Sequence, residues 1–185
     1  MHPMQDDLTR VLVTEQQIRD RLNELARDIL LDYAGKDLTL VPILTGSVMF
    51  IADLIRRLPM QLRFDFLGLS SYHGQTSSSG EVIVTKALRL DVRGRDVLVV
   101  DDILDSGLTL IRIQELIEPL QPRSLKFCVL LEKEIPRTIE CHADYVGFRI
   151  PNEFVVGYGL DYCERYRNLS YIGVLKPEAI AACRG

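Results

Sequence analysis

Residues 97–110 read Val97-Leu98-Val99-Val100-Asp101-Asp102-Ile103-Leu104-Asp105-Ser106-Gly107-Leu108-Thr109-Leu110. Four consecutive apolar residues, three of them β-branched, predict a strand buried on both faces, as in a parallel sheet. Two carboxylates close the strand and a short turn follows. Leu110, Ile113, Leu116 and Ile117 then recur at helical spacing until Pro119 and Pro122 stop the run. Strand, turn and helix in this order form the repeating unit of an open α/β sheet. Such sheets bind ligands at the carboxyl ends of their strands, so the chemistry is expected in the turns just beyond them.

The turn at 105–109 has the groups for an anion. The hydroxyls of Ser106 and Thr109 and the backbone N–H groups around Gly107 and Leu108 surround a helix start, which favours phosphate. Asp101 and Asp102 repel phosphate but suit sugar hydroxyls, or a metal ion with its waters. One ligand with phosphate, diol and metal satisfies every group, and phosphoribosyl pyrophosphate is such a ligand. A lone Asp-Ser-Gly would read as an ordinary helix cap; three acids beside a hydroxyl-glycine turn ask for more. Other phosphate motifs are missing. There is no GxxxxGKS or GxxxxGKT, and Gly157-Tyr158-Gly159 lacks the rest of GxGxxG.

Outward from this block, the same alternation continues. Thr14-Glu15-Gln16-Gln17 has the form of a capping box, and Ile18, Leu22, Leu25 and Ile29 follow at helical spacing. Leu40 to Leu44 predicts a short strand closed by Thr45-Gly46-Ser47. Ser47 is positioned to cap a second helix, Val48 to Leu58, which Pro59 ends. Leu62, Phe64 and Phe66 alternate with polar residues, as in a strand. The stretch 70–80, SSYHGQTSSSG, is too polar to pack and long enough to move. EVIVTKALRL and Leu125 to Leu131 predict further strands, and DYVGFRI, FVVGY and YIGVL supply short strands in the tail. No internal repeat occurs. These elements predict an α/β fold with a mainly parallel sheet.

Composition narrows the function classes. The chain has 185 residues, which suggests one domain spanning 1–185, and 47% of them are apolar, enough for a core without staples. A net charge of −4 and a pI near 5.4 argue against a broad nucleic-acid-binding face. Cys128, Cys141, Cys163 and Cys183 include no CxxC pair and are expected as free thiols in a reducing cytoplasm. The residues at the start lack the apolar stretch of a signal peptide, and no apolar run approaches the roughly 18 residues of a membrane span. A cytoplasmic protein with no membrane partner is the expectation.

Residues 97–110 resemble the phosphoribosyl pyrophosphate signature of the type I phosphoribosyltransferases. The resemblance runs from about residue 40 to 177, and its most specific part is the tail VGFRIPNEFVVGYGLDYCERYRNLSYIGVLKPE, which is similar to the hypoxanthine-guanine branch. It implies a mainly parallel twisted sheet flanked by helices, with a small hood built from the terminal segments, partly from about 150–185. It implies magnesium as cofactor, phosphoribosyl pyrophosphate with hypoxanthine or guanine as substrates, and IMP or GMP with pyrophosphate as products. A homodimer or homotetramer is implied as the assembly.

Site residues follow from the same resemblance. Asp101 and Asp102 would contact the ribose hydroxyls and help organise magnesium. Asp105 would approach N7 of the purine as general base, and the turn through Ser106, Gly107, Leu108 and Thr109 would hold the 5′-phosphate. Thr45-Gly46-Ser47 would be the pyrophosphate loop with its strained, often cis, peptide; the family often has a basic residue where this chain has Thr45. Lys133 would donate to the 6-oxo group, Phe154 would stack on the base, and Val155 would contact it through its backbone. Asp161 would be a magnesium ligand beside the base, and Arg167 a pyrophosphate contact. Asn152-Glu153 stands where the family often has Asp-Lys. Ser71-Tyr72 would open the mobile loop, about 70–80, that covers the site. Two alternatives share the central signature: a phosphoribosyltransferase-fold RNA-binding regulator of pyrimidine genes, and a relative acting on xanthine or a pyrimidine base.

Overall fold

The computed structural model describes residues 4–71, 82–137 and 141–182. In chain order, β1 (Leu8–Val13) leads into α1 (Glu15–Asp32), then β2 (Leu38–Leu44), α2 (Val48–Ile55), β3 (Arg63–Phe64) and β4 (Leu67–Ser71). Next come β5 (Val82–Lys86), β6 (Asp96–Leu104), α3 (Leu108–Ile117), β7 (Ser124–Lys133) and β8 (Tyr145–Ile150). The tail forms β9 (Val155–Val156), β10 (Ile172–Leu175) and α4 (Pro177–Ala182).

The main sheet has the order β5-β4-β2-β6-β7-β8, with β3 pairing β2 off this path. Every pairing is parallel except that of β4 with β5. Central β6 is sealed as its sequence requires: Val97, Leu98, Val99 and Val100 are all fully buried. Strand periodicity divides them between two cores. Leu98 and Val100 face α1 and α2, with Leu22, Ile29 and Phe50; Val97 and Val99 face α3, with Leu110 and Ile113. Burial of each such side chain contributes up to about 1.5–3 kcal/mol. A separate antiparallel sheet, β1-β10-β9, joins both terminal segments into a hood with its own small core of Leu8, Val156, Tyr166 and Leu175.

Local readings mostly hold. The capping box is formed: the Thr14 hydroxyl accepts from the Gln17 N–H at 3.3 Å, and the Gln17 Oε1 accepts from the Thr14 N–H at 2.8 Å. Three details differ. α2 ends at Ile55, short of the expected Leu58, because the chain tightens into i→i+3 bonds ahead of Pro59 (Arg57 N–H to Leu54 O, Leu58 N–H to Ile55 O). Ser47 does not cap α2; its hydroxyl turns back to the Ile43 carbonyl at 2.5 Å. The expected strand through Leu62, Phe64 and Phe66 forms only as β3, Arg63–Phe64, and β4 starts at Leu67. Asp65 interrupts the expected strand, accepting from the Phe66 N–H, the Lys86 ammonium and the N–H groups of Arg89 and Leu90.

The thiol expectation needs correcting as well. Cys128 and Cys141 are free, but Cys163 is disulfide-bonded. The absence of a CxxC pair points the other way. No helix among the described residues is long and apolar enough to cross a membrane.

Candidate active site

Carboxyl ends of β2 and β6 meet the hood over a cavity of about 420 Å³. Its lining includes Thr45 and Gly46 after β2, Asp101, Asp102 and Asp105 from β6 and its turn, and Asp161 and Arg167 from the tail. The sequence block that defined the sheet therefore also forms the floor of this cavity.

Asp101 is 6% exposed. Burial, and then the adjacent Asp102 charge, hold its carboxyl well above the usual carboxylate range. Burial raises Asp102 too, against the opposing pull of its contacts with Asp101 and the charge of Arg167. The Asp102 N–H donates to Asp101 Oδ1 at 2.9 Å, which locks the pair in place. A buried acid beside a half-buried one is costly unless a cation or hydroxyl donors approach from the cavity.

The loop after β2 fits only because residue 46 is glycine. A Cβ there would lie 1.7 Å from Asp102 Oδ2. The carbonyl of Gly46 in turn lies against Gly159, so acids, loop and tail touch in one stack. The Leu44–Thr45 peptide is cis, as the resemblance implied. Ser47 is fully buried behind this loop and does not line the cavity; its hydroxyl stays on the Ile43 carbonyl.

At the helix start, Gly107 is the N-cap of α3, at φ 90°. A Cβ at that position would lie 2.2 Å from the Cys141 sulfur, so both backbone angle and space demand glycine. Gly107 has no side chain to cap this end of α3, and the Ser106 hydroxyl accepts only a long 3.5 Å bond from the Leu108 N–H. The first N–H groups of α3, together with the Ser106 and Thr109 hydroxyls, can serve an anion. Leu108, in that first turn, is 44% exposed.

Lys133 ends β7, beside β6, and its ammonium reaches Asp105 Oδ2 at 2.7 Å. The lysine side chain is 12% exposed and the aspartate 50%. A donor and an acceptor thus stand together at the rim. In the tail, Phe154 is 42% exposed and meets Tyr162 edge-on, ring centres 5.0 Å apart. Val155 is buried in β9, paired with Val174. Arg167 donates to the Gly159 carbonyl at 2.7 Å and pairs with Asp161 at 2.8 Å. Glu153, where the family often has lysine, pairs with Arg10 of β1. Ser71 closes β4, whereas Tyr72 and the rest of the expected loop to Gly80 lie outside the described residues.

Sequence reasoning missed Arg137 and Cys141. Arg137 holds backbone carbonyls at the ends of β6 and β7, and Cys141 packs on Gly107. Neither belongs to a spaced motif, and both act through contacts that only the fold creates.

Among the described residues no cluster of three or more His, Cys, Asp or Glu side chains could hold a metal by itself. The carboxylates instead suit a hard cation completed by ligand oxygens and water, the usual habit of magnesium.

Comparison with known proteins agrees with this geometry. The family profile of the phosphoribosyl transferase domain matches residues 11–163. The chain is 50% identical over 175 residues to a hypoxanthine-guanine phosphoribosyltransferase of Staphylococcus aureus, covering 95% of this chain and 98% of that protein. It is 49% identical over 175 residues to the bifunctional protein TilS/HprT of Listeria monocytogenes, and there it spans only 27% of the longer relative. Among solved structures, a hypoxanthine phosphoribosyltransferase from Staphylococcus aureus superposes with a TM-score of 0.90 at 49% identity, over 96% of each chain. A hypoxanthine phosphoribosyl transferase of Trypanosoma cruzi gives a TM-score of 0.91 at 41% identity, over 97% of each chain. The chain belongs to the type I phosphoribosyltransferase family, in its hypoxanthine-guanine branch.

Proposed function

We propose that this chain transfers the 5-phosphoribosyl group of phosphoribosyl pyrophosphate to N9 of hypoxanthine or guanine, releasing IMP or GMP and pyrophosphate, a purine-salvage reaction that depends on magnesium. The observation that carries the reading is the Lys133–Asp105 pair at the cavity rim. In a 6-oxopurine, O6 and N7 share one edge of the ring. An ammonium and a carboxylate in contact match that edge, one donating to O6 and the other accepting the N7 proton. Adenine presents an amino group to Lys133 and leaves a buried donor unpaired, a mismatch that sites built on polar recognition reject strongly. The names of the relatives point the same way.

Roles for the remaining residues are those the family resemblance implies. Asp101 and Asp102 bind the ribose hydroxyls, and the Ser106–Thr109 turn binds the 5′-phosphate. Gly46 and its neighbours offer backbone donors to the pyrophosphate, with Arg167 opposite. Phe154 stacks on the base, Val155 offers it a backbone contact, and Asp105 takes the N7 proton as the N9–C1′ bond forms. Asp101, Asp102 and Asp161 would hold magnesium, directly or through water; when bound, it neutralises the leaving diphosphate. Ser71 and Tyr72 open the loop that shields the developing oxocarbenium ion from water. One domain, a cytoplasmic location and assembly into a homodimer or homotetramer complete the proposal.

The test is a panel of free bases with phosphoribosyl pyrophosphate and magnesium, following pyrophosphate release. Hypoxanthine, guanine or both should react, and adenine and uracil should not. Comparable turnover of adenine would sink the assignment.

A further inference from the structure

Arg137 lies four residues beyond the end of β7, with only 15% of its side chain exposed. Its Nε donates to the Asp105 carbonyl at 2.9 Å and its Nη2 to the Lys133 carbonyl at 2.8 Å, with a longer 3.5 Å contact to the Leu104 carbonyl. Nη1 donates to Glu132 Oε1 at 3.2 Å, and the other oxygen of Glu132 accepts from Arg149 of β8 at 3.2 Å. One planar guanidinium therefore bridges the ends of two adjacent strands, and a third strand braces it. The two residues whose carbonyls it binds most closely are the two whose side chains form the rim pair.

We propose that Arg137 is a positioning residue that sets the spacing between Lys133 and Asp105, and so matches the pair to the O6–N7 edge of the base. The inference rests on the functional reading above. Ladder hydrogen bonds of a parallel sheet hold β6 to β7 up to Leu104 and Glu132. Beyond that register the backbones of Asp105 and Lys133 have no ladder partner in each other, and the guanidinium supplies the missing link. Rigid donors in a fixed fork suit this task, whereas a single flexible ammonium cannot span both strands. The phosphate turn has separate supports: the Ile111 N–H donates to the Gly107 carbonyl at 3.1 Å, and Gly107 packs on Cys141. Loss of Arg137 should thus disturb the base and spare the phosphate.

The experiment uses the full chain with Arg137→Met, which keeps much of the stem and removes every donor, and with Arg137→Lys, which keeps the charge. Misplacement of a reacting group by about 1 Å can cost on the order of 10²-fold, so kcat/KM for hypoxanthine should fall by roughly 10–100-fold. The dissociation constant of phosphoribosyl pyrophosphate should change by less than about threefold, because its donors stay in place. Lysine should fail to restore the parental base kinetics. Parental kinetics in folded Arg137→Met would overturn the proposal. So would an equal weakening of base and donor with a lowered Tm, which would show a general structural role. If Arg137→Met does not fold, Arg137→Lys decides by the same two measurements. A parent chain that does not turn over hypoxanthine removes the functional reading and this role with it; an active parent with unchanged variants removes this role alone.

Discussion

Asp105→Asn separates chemistry from binding at the rim. Asparagine keeps the shape of the side chain and loses its ability to take a proton. Removal of a general base typically costs about 10²–10⁴-fold in rate, so the chemical step should slow by that factor. The structure limits the other effects. Asp105 is not the cap of α3, since Gly107 holds that position, so no capping energy is lost. The ion pair to Lys133 is broken; Asp105 is half exposed although the lysine is only 12% exposed, and the partly screened pair should contribute about 1 kcal/mol. In a chain of this length that corresponds to a fall in Tm of no more than roughly 2–4 °C. The phosphate donors of residues 106–109 are untouched, so affinity for phosphoribosyl pyrophosphate should change by less than about tenfold. Pre-steady-state turnover and calorimetric titration of the donor on the same folded variant read the two quantities. A chemical step within a few fold of the parent would show that Asp105 positions Lys133 and that the base lies elsewhere.

Two further outcomes test other parts of the account. Asp161→Ala should raise the magnesium requirement of turnover and release Arg167 from its 2.8 Å partner, and excess chelator should abolish activity in the parent; unchanged activity in chelator would refute the metal role. At Asp65, burial alone would raise the carboxyl, but the N–H of Arg89, the ammonium of Lys86 and the N–H of Leu90 outweigh it and carry the pKa down to about 2. A depressed carboxyl stabilises above its unfolded value and loses that stability as pH falls through the folded one. The stability difference between parent and Asp65→Asn should therefore be about 2 kcal/mol near neutrality and shrink between about pH 4 and pH 2, as read by urea unfolding; a difference that stays constant across that window would contradict the assignment.

The parts of this structure that are local were legible from the sequence. An apolar run such as Val97–Val100 has one physical solution, and the capping box at Thr14 satisfies its donors within one turn. What the sequence concealed depends on distant partners. β1 escaped notice because it is completed only by β10, some 160 residues on, and Thr9 and Arg10 interrupt its apolar residues. The break at Asp65 is imposed by Arg89 and Leu90, backbone donors just beyond β5 and some 24 residues on. Ser47 looked like a cap by residue type, yet its buried hydroxyl found a nearer carbonyl. In the site, acids and glycines could be placed from the motif, whereas the meeting of Lys133 with Asp105, and its bracing by Arg137, exists only across two strands.

The central claim is that a lysine and an aspartate read O6 and N7 together, and 7-deazahypoxanthine tests it most directly. That analogue keeps the 6-oxo group for Lys133 and N9 for the ribosyl transfer, but carbon replaces N7, so Asp105 has no proton to take. With phosphoribosyl pyrophosphate and magnesium in excess, hypoxanthine should give pyrophosphate in a single turnover, and the analogue should react at least about 10²-fold more slowly. Equal rates for the two bases would contradict the account.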